Sequence, residues 1–97
     1  MAATKYELNA FAKGADGSLR PFHLDISETW RHAEFGWECR VICEALRNKP
    51  MKAFGEDPND AMAMALALIR RLLEYAEWTL VDAQGKPVAL PHIQMQA

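Results

Sequence analysis

The run Gly55-Glu56-Asp57-Pro58-Asn59-Asp60-Ala61-Met62-Ala63-Met64-Ala65-Leu66-Ala67-Leu68-Ile69-Arg70-Arg71-Leu72-Leu73-Glu74-Tyr75-Ala76-Glu77-Trp78 sets the architecture of this chain. Asp57 offers a carboxylate oxygen to the first free backbone N–H groups of a helix. Pro58 suits the first helical position, where its missing N–H would have had no partner, and Asp60 places negative charge near the positive helix end. The sequence then stays apolar with few breaks. A single long helix from Asp57 to Trp78 is therefore predicted in a chain that otherwise reads as strands.

At helical spacing Ala61, Met62, Ala65, Leu66, Ile69, Leu72, Leu73 and Ala76 share one broad face, while Asp60, Arg70, Arg71, Glu74 and Glu77 gather opposite. The first face belongs in a core. Met64, Leu68 and Tyr75 lie at the flank between the two sectors, so the apolar arc is wider than contact with one sheet requires. Two covers for this flank are open: the C-terminal segment Val88 to Ile93, or a partner chain, since contiguous exposed apolar patches often mark interaction sites.

Upstream, Tyr6, Leu8 and Ala10 alternate with Glu7 and Asn9, the period of a half-buried strand from Lys5 to Ala12. Gly14-Ala15-Asp16-Gly17-Ser18 breaks it and reads as a hairpin loop into a second strand, Leu19 to Ile26, with Phe22, Leu24 and Ile26 on one face. Pro21 cannot donate a ladder hydrogen bond, which puts at least the start of this strand at an edge or bulge. Ser27 to Gly36 shows no sustained period and reads as a connection with a helical turn. Trp37 to Leu46 alternates again, with Trp37, Cys39, Val41, Cys43 and Ala45 facing one way and Glu38, Arg40, Ile42 and Glu44 the other. Arg47 to Pro50 reads as a turn and Met51 to Phe54 as a short strand entering the helix. Beyond the helix, Thr79 to Val81 extends, Asp82 to Pro87 turns, and Val88 to Ile93 returns. The expected fold is a single α+β domain over residues 1–97: an antiparallel sheet of about four strands with the helix packed across one face.

Composition bounds the function. A net charge of −2 with scattered Lys and Arg supplies no basic stripe for phosphates, which argues against a nucleic-acid partner. The longest apolar run falls short of a membrane span, and the start Met1-Ala2-Ala3-Thr4-Lys5 lacks the apolar core of a secretory signal. No membrane association and a cytoplasmic location are the expectations. Cys39 and Cys43, four residues apart on a strand, stand roughly 13 Å from each other and cannot form a disulfide together. They read as reduced, buried, small apolar side chains.

The motif Trp37-x-Cys39-x-Val41 within a strand, followed by Gly55-x-Asp57-x-x-x-Ala61-x-x-x-Ala65-Leu66 at the helix start, resembles a family of small bacterial domains of unknown function. The likeness covers most of the chain in element order. Members usually carry glutamine where this chain has Asp60. The resemblance implies the fold and a bacterial origin and supplies no activity.

Candidate chemistry is sparse. His23, His32 and His92 are the histidines available for proton transfer or metal binding, and none stands in a diagnostic pattern. A zinc site from His32, Cys39 and Cys43 fails because two thiols on a straight strand cannot reach one ion. Glu38 and Glu44 beside the thiols oppose a nucleophilic thiolate. No metal, no cofactor and no catalytic residue are expected. The second sheet face, in contrast, mixes Phe11, Ile42 and Leu46, with Trp30 or Phe35, among His23, Asp25, Glu38, Arg40 and Glu44, the blend of a protein interface. The leading expectation is a protein-interaction module that self-associates as a homodimer or masks a partner, as immunity proteins and antitoxins do. Its interface candidates are Met64, Leu68, Tyr75, Phe11 and Ile42. The alternative is a small-ligand-binding or enzymatic domain using His23, Asp25 and Arg40.

Overall fold

The computed structural model describes residues 5–34 and 36–91. Strands β1 (Tyr6–Lys13) and β2 (Leu19–Ile26) form the first hairpin, in a register that sets Leu8 opposite Leu24 and Ala10 opposite Phe22. Its loop closes through the Asp16 carboxylate, which accepts the Ser18 N–H at 3.0 Å and the Ser18 hydroxyl at 2.7 Å. A short β3 (Trp30–His32) follows, then β4 (Gly36–Cys43), β5 (Arg47–Gly55), α1 (Pro58–Ala76) and β6 (Thr79–Val81).

Every strand pairing is antiparallel. β5 takes one edge of β4; β2 and β3 share the other, with the Ser27 N–H donating to the Arg40 carbonyl at 2.9 Å between them. β1 lies beyond β2, and β6 beyond β1. The class is α+β, as expected, but among the described residues the sheet has six strands rather than about four. Two departures account for the difference. Residues 27–36 supply β3 in place of a helical turn, because Trp30 and Arg31 find partners in Glu38 and Trp37 of β4. β6 pairs Thr79, Leu80 and Val81 with β1. Phe35 and His92 lie outside the described residues.

The turn expected at Arg47 to Pro50 is instead the start of β5, and the chain reverses over residues 44–46, where the Leu46 N–H donates to the Cys43 carbonyl. Pro50 is tolerated because β5 is an edge strand, where a missing N–H breaks no ladder bond. Pro21 follows the same rule: β4 reaches only Asp25 and Ile26 of β2, so at Pro21 that strand has β1 alone as neighbour.

Helix α1 begins as the sequence predicts. Asp57 is the cap, its Oδ1 accepting the Asp60 N–H at 2.7 Å, while Asp60 Oδ2 accepts the Glu56 N–H at 2.8 Å. It ends at Glu77, which takes a left-handed conformation at φ 59°. Ala61, Met62, Ala65, Leu66, Ile69 and Leu73 are buried with Phe22, Leu24, Ile26, Cys39, Val41 and Cys43 of the sheet. Leu72 is half-buried. Ala76, assigned to the core, is exposed in the last turn.

Close approach fixes where the helix starts. A Cβ on Gly55 would stand 2.3 Å from the Ala61 nitrogen, so only glycine lets β5 turn directly under the first helical turn. The Cys39 thiol then reaches the Ala61 carbonyl at 3.6 Å. Both cysteines are buried and free.

Candidate functional site

The helix flank carrying Met64 and Leu68 borders a groove of about 300 Å³ whose opposite wall is β5, through Lys52, Ala53 and Phe54. Met64 is 48 % exposed and Leu68 half-buried. Tyr75, on the same flank further along, is 90 % exposed and does not line the groove. Chain reversal after β6 does not close this side. The Val88 N–H donates to Leu80, Leu90 is buried in the core, and the Arg70 guanidinium donates to the carbonyls of Leu90 and Pro91. Arg70 stands about 160° around the helix from Leu68. The described part of the C-terminal segment therefore covers the far flank, and the Met64 flank keeps its groove. Ile93 lies outside the described residues.

On the outer sheet face, Phe11 and Ile42 are not neighbours, although Pro21 and His23 stand beside both. Phe11 pairs with Pro21 and Val81, whereas Ile42 pairs with Asp25, so about 13 Å of β2 separates them. His23 stands between, its Nδ1 2.7 Å from Asn9 Oδ1 and its Nε2 3.6 Å from the Glu7 carboxylate, in the open on the sheet surface. Leu46 belongs to the reversal at residues 44–46 and packs against the core cluster instead of the outer face.

The residues of the alternative reading do not converge. Asp25 stands opposite Ile42, while the backbone of Arg40 engages Ser27, beyond the end of β2. His23 and Arg40 are thus about four residue steps apart along the sheet, roughly 13 Å. Convergent polar groups in a cleft, the mark of a ligand site, are not formed by this trio.

One polar feature escaped the sequence. Glu38 faces outward, yet it is only 5 % exposed. Its cross-strand neighbours are Trp30 on β3 and Phe54 on β5, and His32 Nε2 lies 3.8 Å from its Oε1. Because the Glu34 N–H donates to His32 Nδ1, the neutral ring carries its proton on Nε2, the nitrogen facing Glu38. Thr29, next to Trp30 in the chain, is 6 % exposed, with a hydroxyl oxygen that has no hydrogen-bond partner among the described residues. Alternation marked the side Glu38 faces, but its cover comes from the strands on both sides, one of which, β3, had no periodic signal.

Burial pushes the Cys39 thiol up to about 11, with the adjacent Glu38 carboxylate adding to the effect, and burial also raises Cys43. Neither is a nucleophile near neutral pH. Among the described residues no three His, Cys, Asp or Glu side chains are grouped to hold a metal ion, and no helix is long and apolar enough to cross a membrane.

No family model, curated protein or solved structure matches the chain.

Proposed function

We propose that the protein is a small cytoplasmic interaction module that acts by contact and has no catalytic centre, its contact surface being the helix flank of Met64 and Leu68 beside β5. One observation carries this reading. The described C-terminal segment is tied by Arg70 to the opposite flank, so an apolar groove stays open along an edge strand. Apolar grooves beside a strand edge are used by proteins to take up segments of other proteins. The partner is a second copy of the chain or a different protein that the module masks. The Trp37, Cys39 and Val41 pattern with the Gly55 and Asp57 helix start supports placing it among small bacterial domains of unknown function.

Light scattering at micromolar concentration and affinity capture from the native host test the reading together. A dimer dissociated by Leu68→Glu assigns the groove to self-association; one dissociated by Ile42→Glu assigns it to the outer sheet face. If the protein is monomeric, the module must capture a protein that Leu68→Glu no longer recovers. Identical recovery by wild type and variant removes the groove as the contact surface.

A further inference from the structure

Strand β5, Arg47-Asn48-Lys49-Pro50-Met51-Lys52-Ala53-Phe54-Gly55, carries three cations and no carboxylate in a chain whose net charge is negative. Across the groove from it, α1 presents Arg71 among Met64, Ala67 and Leu68. Neither Lys52 nor Arg71 takes part in a salt bridge among the described residues. The groove therefore runs along the β5 edge with a cation on either side of it: Arg71 on the helix, and Lys52, which alternation places with Phe54 on the sheet face away from α1. Its charge reverses at one end, where Glu56 and Asp60 flank Gly55.

The backbone adds a direction. Arg40 donates its N–H to Ser27 Oγ at 2.8 Å and accepts the Ser27 N–H at its carbonyl, so both groups face β2. In an antiparallel pair the N–H and C=O of a residue point to the same side and alternate along the strand. Lys52, the cross-strand partner of Arg40, accordingly directs its own N–H and C=O away from β4, to the outer edge of the sheet. β5 has no second strand neighbour among the described residues.

We infer that the groove takes an extended, acidic and apolar peptide segment of another protein, laid along the outer edge of β5. Its side chains alternate between the helix side, against Ala53, Met64, Leu68 and Arg71, and the outer sheet face, against Lys52 and Phe54; its carboxylates meet Lys52 and Arg71 and fall away toward Gly55, where Glu56 and Asp60 repel them. A second copy of this chain is the poorer occupant. Pairing β5 with itself gathers six cations and no carboxylate on one two-stranded ladder, and like charges on opposed strands are destabilising. This inference rests on the interaction reading above and names the chemistry of the partner.

Selection from a random peptide-display library, followed by anisotropy titration of the enriched peptides, tests it. Enriched sequences should combine carboxylates with apolar residues, perturb the amides of Lys52, Met64 and Leu68, and bind more weakly as salt rises. The double variant Lys52→Glu, Arg71→Glu, both exposed, should keep its thermal midpoint and lose at least about ten-fold in affinity, while gaining peptides in which lysine replaces the carboxylate. Peptides that perturb the same amides without an acidic bias overturn the acidic class and leave the interaction reading standing. Failure to enrich any peptide overturns the inference, and together with a monomer whose captured proteins are unchanged by Leu68→Glu it removes the interaction reading as well. A dimer dissociated by Leu68→Glu assigns the groove to a second copy and overturns the peptide partner.

Discussion

Arg70 donates from Nη2 to the Leu90 carbonyl at 3.2 Å, a bond between residues twenty apart that ties the chain after β6 to one flank of the helix. The other flank, that of Met64 and Leu68, is left to β5. Arg70→Ala should remove this tie at a cost of about 1.5–3 kcal/mol, the range for a hydrogen bond with a charged donor. Hydrogen exchange should speed up at Val88 and Leu90 and stay unchanged at Met64 and Leu68. Equal acceleration on both flanks would show that the segment braces the whole helix.

Leu66→Ala or Ile69→Ala should each cost about 2–5 kcal/mol, because both side chains are buried against the sheet and truncation leaves a cavity. Tyr75→Ala, at an almost fully exposed position, should stay within about 0.5 kcal/mol. Denaturant midpoints at constant slope read both. A small effect at Leu66 and a large one at Tyr75 would reverse the assigned helix orientation.

Gly55→Ala should be more damaging than its single methyl suggests. The new carbon meets backbone, the Ala61 nitrogen, where no side chain can swing aside, and the first turn of α1 has to move. A loss of about 3 kcal/mol, the upper part of the usual overpacking range, is expected. Gly17→Ala is the contrasting case: its backbone is left-handed at φ 84° and no atom outside its chain neighbours lies within 4 Å of the added carbon, so its loss reports conformation alone, whereas the loss at Gly55 reports contact. An unchanged midpoint in Gly55→Ala would mean that close packing at Gly55 contributes nothing.

Thr29→Val should stabilise the protein by about 1 kcal/mol. The buried hydroxyl has no partner among the described residues, and valine keeps the shape while removing the unsatisfied group. Thermal unfolding of the two proteins side by side measures it. A destabilised Thr29→Val protein would reveal that the hydroxyl does form a bond in solution.

Stability should fall in alkali. Cys39 holds its proton up to about 11 in the folded protein, whereas the unfolded thiol releases it near its ordinary value of 9.0. Between those values the unfolded state binds fewer protons, so stability is full below about pH 9 and declines as the pH rises toward 11. Cys43 shifts in the same direction. Denaturant midpoints measured from pH 7 to 11 should show this decline and a shallower one in Cys39→Ala. An unchanged slope in the variant would assign the alkaline loss to other groups.

What the sequence alone determined was local or periodic. Asp57, Pro58 and Asp60 mark a helix start through groups that meet within one turn, and the core face of α1 follows from 3.6-residue spacing, with Leu72 packed at its margin and Ala76 alone exposed. The loop from Gly14 to Ser18 and the strand from Leu19 to Ile26 were legible for the same reason, since a hairpin is closed by neighbours. Among the candidate site residues, the sequence placed Met64, Leu68 and Tyr75 on one flank and His23, Asp25 and Arg40 on one sheet face. Whether the members of each set meet was decided by the tertiary structure. Register puts His23 and Arg40 roughly 13 Å apart, β3 forms only because β4 is there to pair with it, and Pro50 sits in a strand only because that strand is at an edge. Glu38 is buried by side chains from strands on either side of it, and Arg70 chooses the flank that the C-terminal segment covers. Each of these outcomes depends on contacts between residues distant in the chain, which leave no period in the sequence because neither partner shows its neighbour until the sheet has formed.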